Sequence, residues 1–216
     1  MPVIFTFDCP GSMGPMTDHD PNDLNGSLKG IIAPNRPSLR GMDLAEVRKP
    51  KGLPPVHLWN PDFCGMIPMT IKRDGTWHYM GTPINRPAMV RLFSTILRRE
   101  PDGSFVLVTP VERVGIEVED APFLAIALHV LDQDGRIALE FETSVGDRVI
   151  AGPEHEIRVE TAPKTGEPSP YVHIRAGLEA RLSRSVFYEL VDLGFEREGL
   201  WGVESLGVFF ALGPAE

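Results

Sequence analysis

Two cysteines in 216 residues, Cys9 and Cys64, are too few for a disulfide framework or a four-ligand zinc site. Long apolar runs are also missing. None approaches the roughly 18 residues of a membrane span, and the N-terminus has no basic-then-apolar leader pattern. These absences set the expectation of a cytoplasmic protein with no membrane partner. Basic charge is in deficit, with 21 Lys and Arg against 30 Asp and Glu and a net charge of −9, so non-specific binding to duplex DNA is disfavoured. Catalytic signatures are absent too. There is no G-x-S-x-G, no phosphate-binding Walker loop and no dinucleotide G-x-G-x-x-G. His57, His78 and His173 lack metal-ligand spacing, and Cys64 with His57 lacks a third orienting group. The expectation is therefore a non-enzymatic chain with no cofactor and no bound metal.

The chain does contain an apparent repeat. Residues 111–118 read V-E-R-V-G-I-E-V and residues 203–210 read V-E-S-L-G-V-F-F. Each follows an aromatic strand containing a His (Trp77-His78-Tyr79; Tyr171-Val172-His173), then a helical pattern, a Gly and an apolar strand. This period is too long for a solenoid and implies a duplicated domain. Two similar halves create a cleft, the default place for a ligand.

Residues 1–37 are rich in Pro and Gly without periodicity, and are expected to be a disordered arm. Ser38–Lys49 could form a short helix, which places the arm over 1–50. The first α+β domain is expected over 51–118 and the second over 119–216. In the first, Val56–Trp59 reads as a short strand, and Arg73-Asp74-Gly75 marks a tight hairpin between Met66–Lys72 and Thr76–Met80. Met89, Leu92, Phe93, Ile96 and Leu97 form a helical stripe opened by Pro87 and ended by Asp102-Gly103. Strands follow at 104–109, 113–118, 123–131 and 136–143. In the last of these, Ala138, Glu140 and Glu142 are expected on a wet face. In the second domain, Leu178, Leu182, Val186 and Leu190 with Phe187 and Val191 read as a helix stopped by Gly194. The fold class is α+β, with two similar halves, each a curved antiparallel sheet packed on one amphipathic helix.

Charge is uneven along the chain. Residues 70–100 carry +4 and residues 111–160 carry −8. Trp59, Trp77 and Tyr79 with Arg73, Arg86 and Arg91 suit a nucleotide, because aromatic faces stack on bases and guanidinium forks match phosphate oxygens. The competing reading makes Trp77 or Tyr79 a core anchor. In the second half, Tyr171, His173 and Arg175 share a strand face, and Arg181 and Arg184 are expected on the following helix. Those arginines could equally pair with Glu179, Glu189 and Asp192.

Several runs resemble a known family: P-P-V-H-L-W-N-P-D-F-C-G at 54–65, R-D-G-T-W-H-Y-M-G-T-P-I at 73–84, R-P-A-M-V-R-L-F-S at 86–94, L-V-T-P-V-E-R-V-G-I at 107–116 and P-Y-V-H-I-R-A-G-L-E-A-R at 170–181. Over about residues 51–212 the chain is similar to the proteobacterial domain-of-unknown-function family 1285. The resemblance implies a duplicated α+β core, a second half superficially like pleckstrin-homology folds, a nucleotide-like ligand between the halves and a regulatory role. It carries no catalytic residue. Where the family pattern has acidic residues after the equivalent of Gly65, Met66 and Pro68 stand here.

Together these readings describe a sensor that binds a small anionic, nucleotide-like ligand between two domains, with a role in signal transduction. The alternative is an interaction module whose pleckstrin-homology-like second half takes a peptide or protein partner.

Overall fold

The structure is a computed structural model and describes residues 52–215. The arm over 1–37, the helix over 38–49 and Cys9 lie outside the described residues. From Pro54 onward the described chain is one compact unit.

A single 3-10 turn, Val56–Leu58, stands where the short strand was expected. Its N–H groups bond back over two or three residues, Leu58 N to Pro55 O and Trp59 N to Val56 O, so no strand partner is sought. Twelve strands then form two six-stranded sheets. The first holds β1 (Phe63–Ile71), β2 (Trp77–Tyr79), β3 (Thr82–Pro83), β4 (Leu97–Arg99), β5 (Phe105–Val108) and β6 (Arg113–Val118), in the order β3-β2-β1-β6-β5-β4. The second holds β7 (Phe123–Gln133), β8 (Arg136–Thr143), β9 (Arg148–Ile150), β10 (Ile157–Thr161), β11 (Pro168–Arg175) and β12 (Leu178–Leu182), in the order β10-β11-β12-β7-β8-β9. Read from the other end, this is the connectivity of the first sheet. Each sheet is two three-stranded meanders joined by one parallel pair, β1 with β6 and β7 with β12, all other pairs being antiparallel.

The two similar halves are therefore present, but the sequence repeat does not mark the equivalent positions. V-E-R-V-G-I-E-V runs from the turn before β6 along that strand, whereas V-E-S-L-G-V-F-F spans a hairpin in a third sheet formed by β13 (Phe195–Arg197), β14 (Leu200–Ser205) and β15 (Val208–Pro214). One motif serves two conformations because Gly115 is a pleat residue, while Leu206 and Gly207 both take positive φ in a tight turn.

Helix α1 (Pro87–Thr95) lies between β3 and β4, and α2 (Arg184–Asp192) follows β12. Both are shorter than their apolar patterns imply. In α1, Ser94 and Thr95 donate their hydroxyls back to Arg91 O and Leu92 O, at 2.8 and 2.7 Å, and the β-branched Thr95-Ile96 pair follows. The Ile96 carbonyl accepts from Val108 N at 2.9 Å, which pulls the chain into β4. Arg98 and Arg99 are thus strand residues, and Asp102-Gly103 turns the β4–β5 hairpin. At the second helix, a four-residue spacing is common to both periods. Leu178, Ala180 and Leu182 alternate as buried residues of β12, and Ser183 then caps α2 by accepting from Val186 N. Arg181 is therefore on a strand, and Arg184 is the first residue of α2. Ala138, expected to be wet, is fully buried; β14 packs against β8 there.

One apolar core runs through both halves. Trp77, Phe93 and Leu107 of the first half are continuous with Phe123, Phe141, Leu178 and Leu190 of the second.

Candidate functional site

The β1–β2 hairpin is held by an Asp side-chain turn. Asp74 Oδ1 accepts from Thr76 N at 2.9 Å and Thr76 Oγ1 at 2.6 Å, and Gly75 N donates to Lys72 O at 2.9 Å. These donors hold the Asp74 carboxyl below its usual range, with the Thr76 hydroxyl as the largest cause. Gly75 sits at φ +80°, and a Cβ there would lie 2.8 Å from Leu124 Cβ. Glycine lets the tip of the first half abut β7 of the second.

Two consecutive acids after β6 clasp this hairpin to the second half. Glu119 accepts from Lys72 Nζ at 2.6 Å and from the Arg73 backbone N–H at 3.0 Å. The Lys72 bond is the main cause that lowers its acidity range. Asp120 accepts hydrogen bonds from two side chains and pairs with a third. Tyr171 Oη reaches Oδ1 at 2.7 Å, Arg181 Nη1 reaches Oδ2 at 2.9 Å, and Arg73 Nε lies 3.2 Å from Oδ2. Asp120 and Arg181 are mostly buried, but the Arg73 side chain is 57 % exposed. Burial first, and the Asp120 bond second, push the Tyr171 phenol up to about 12, so it stays a proton donor to Asp120. The guanidinium of Arg158 lies 4.3 Å from the Tyr171 ring centroid and binds Glu179 through two bonds of 2.6 and 2.7 Å. That pair lowers Glu179 and raises Arg158 from their ordinary values.

Arg73 lines two cavities. One, of about 370 Å³, is lined by Arg73, Arg181 and Arg184 with Ser183, Phe187 and Tyr188; Glu167 is its one acid. The other, of about 330 Å³, is acidic, with Glu119, Asp120 and Glu160 opposite the same Arg73. A third cavity between the halves, lined by Trp77, Ile84, Val90 and Val145 among others, carries no charged side chain.

Of the ten ligand residues expected from the sequence, Arg73, Tyr171 and Arg181 come together here. Trp77 does not: it is buried and stacks on Phe93 with centroids 6.3 Å apart, the core-anchor role. Tyr79 is exposed near the end of β2. Trp59 follows the 3-10 turn, and its carbonyl accepts from Arg98 at 2.6 Å. Arg86, which precedes α1, and Arg91 on α1 are exposed and line none of these cavities. The ring of His173 is occupied, with Nδ1 2.7 Å from Glu154 O and Gly177 N donating to Nε2 at 3.2 Å. Arg175 braces the halves instead. It pairs with Asp147, donates to Ser94 O at 2.9 Å and lies over the Phe123 ring. Asp120, Phe187 and Tyr188 were missed as site residues. Cys64 is not a free thiol and offers no thiolate to pair with His57. Among the described residues no cluster of His, Cys, Asp and Glu could hold a metal, and no helix is long and apolar enough to cross a membrane.

Comparison with known proteins places this arrangement. Residues 54–121 match the N-terminal domain, and residues 122–212 the C-terminal domain, of the domain of unknown function DUF1285. The chain belongs to the DUF1285 family. The crystal structure of a DUF1285 family protein from Silicibacter pomeroyi is 57% identical, with a TM-score of 0.72 over 79% of this chain and 92% of that one. A DUF1285 family protein from Shewanella baltica is 29% identical over 58% of this chain and 91% of that chain, at a TM-score of 0.46. No curated protein matches. In DUF1285 terms, Glu119 and Asp120 sit where the N-terminal domain hands over to the C-terminal one.

Proposed function

We propose that this DUF1285 protein is a sensor that binds a small anionic, nucleotide-like ligand in the cavity beside Arg73. The supporting observation is the lining of that cavity: three guanidinium groups against one carboxylate, with Phe187 and Tyr188 alongside. Arginine forks take phosphate oxygens, and an exposed aromatic face takes a base. A volume of about 370 Å³ is in the range of small-ligand sites. Arg73 comes from the first half and Arg181 and Arg184 from the second, so a ligand that holds all three favours one arrangement of the halves. The test is a thermal-shift panel of nucleotides, dinucleotides, cyclic nucleotides and short oligonucleotides. A hit lost in Arg184→Ala with Tyr188→Ala, and kept in Arg86→Ala with Arg91→Ala, supports the site. A hit insensitive to the first pair removes it.

A second reading, a protein-interaction module, is favoured by the β7–β8 hairpin, which carries Val130 and Ile137 at 52% and 59% exposure. Apolar side chains grouped at a protruding hairpin suit a partner surface. Val130→Lys with Ile137→Lys would abolish capture of a partner from native extract while leaving any nucleotide hit intact.

A further inference from the structure

We propose that Asp120 is an internal counter-ion which an incoming anion must displace, so that the site answers only to multiply charged phosphates. This rests on the cavity reading above. Two of the three guanidinium groups that line the basic cavity, Arg73 and Arg181, are already paired with the same oxygen, Asp120 Oδ2, at 3.2 and 2.9 Å. The carboxylate lines the acidic cavity that Arg73 also lines and is absent from the lining of the basic one, so it competes for Arg73 from outside that cavity. Tyr171 anchors its other oxygen at 2.7 Å, which holds the competitor in place when an arginine leaves. Arg73 is the group free to turn: its side chain is mostly exposed, whereas Arg181 is mostly buried. The Arg184 side chain makes no hydrogen bond or ion pair among the described residues and would meet the anion first.

A monoanion exchanges one carboxylate for another at Arg73 and gains little. A diphosphate brings several charges, enough to hold Arg184, draw Arg73 across and share Arg181 with Asp120. Binding then breaks the one side-chain ion pair by which the hairpin of the first half grips Asp120. The backbone bond of Arg73 to Glu119 remains. Occupancy thereby exchanges the Arg73–Asp120 contact for one between the halves that the ligand bridges, a differential interaction of the kind that a population shift requires.

The experiment titrates inorganic pyrophosphate, with acetate as the monoanion, into wild type, Asp120→Asn and Glu119→Gln by calorimetry. Both variants remove one negative charge at neighbouring positions, but only Asp120 competes for the cavity arginines. Asp120→Asn is expected to bind pyrophosphate about tenfold more tightly than wild type, since the pre-paired fraction no longer lowers apparent affinity. Glu119→Gln should change affinity about twofold or less, and acetate should bind none of the three. Equal tightening in both variants would reduce the effect to general charge and overturn the displacement, while leaving the cavity reading intact. No pyrophosphate binding by any of the three would sink the cavity reading itself. Should Asp120→Asn fail to fold, wild type decides: on saturation the Arg73 side-chain Nε–H resonance must move while that of Arg98, which is paired with Glu100, stays. An unmoved Arg73 resonance overturns the proposal.

Discussion

Replacement of Arg175 by Met removes a guanidinium that ties the halves together while keeping a stem of similar length over Phe123. Three contacts are lost. The ion pair with Asp147 joins side chains that are 19% and 24% exposed, so solvent screens it only in part. The bond to Ser94 O satisfies a carbonyl in the last turn of α1, where a cation also meets the negative end of the helix dipole. The guanidinium lies 4.9 Å from the Phe123 centroid. A hydrogen bond to a charged group is worth about 1.5–3 kcal/mol, and stranding one member of a fully buried pair costs about 3–5 kcal/mol. Partial exposure of Asp147 reduces the second figure, so Arg175→Met should destabilise by about 3 kcal/mol. For a unit of this size the melting temperature should fall by about 6–12 °C. Urea unfolding at neutral pH measures the loss directly, and a cycle with Asp147→Asn should return a coupling of about 1–2 kcal/mol. An Arg175→Met variant within about 0.5 kcal/mol of wild type would refute the view that this arginine braces the two halves, whereas a cycle with no coupling would remove only the Asp147 pair, which lies within the second half.

Gly75→Ala should destabilise by about 2 kcal/mol or more, because strain at positive φ adds to a collision with Leu124. Gly135→Ala, at φ +77° with open space around it, should cost about half as much by urea unfolding, from strain alone. The Tyr171 phenol has a folded pKa near 12, above its ordinary value of 10.0. Its contribution is therefore complete below pH 10 and lost as pH rises from 10 to 12, by up to about 2 kcal/mol. Tyr171→Phe should flatten that alkaline decline. Glu179 moves the other way. Its folded pKa lies below the ordinary 4.5, so its contribution is present above that value and disappears as pH falls beneath it. Glu179→Gln should lose less stability than wild type between pH 5 and pH 3, and an identical acid slope would remove the Arg158 pair as the cause.

How legible each feature was follows from how local its cause is. Asp74-Gly75 announced its hairpin because the turn chemistry lies within four residues. Strands β6 and β8 fell where alternation placed them. The helix ends were hidden, because hydroxyl back-bonds at Ser94 and Thr95 and a strand-compatible Leu178-x-Ala180-x-Leu182 sit inside a spacing that also fits a helix. Trp77 and Tyr79 alternate on one strand, yet only Trp77 is covered by α1. Asp120 was concealed among the twelve acids of the strongly acidic stretch 111–160. Its partners Tyr171 and Arg181 lie 51 and 61 residues away, and no short-range pattern carries such a meeting. The one available clue was position: Glu119-Asp120 stands between two apolar strands, where one domain ends and the next begins.

The anion site between the halves is tested most directly by anomalous diffraction from crystals soaked in selenate, a dianion shaped like phosphate. An anomalous peak within hydrogen-bonding distance of Arg73, Arg181 and Arg184 is expected. Well-ordered crystals with selenate bound elsewhere and none beside these three arginines would contradict it.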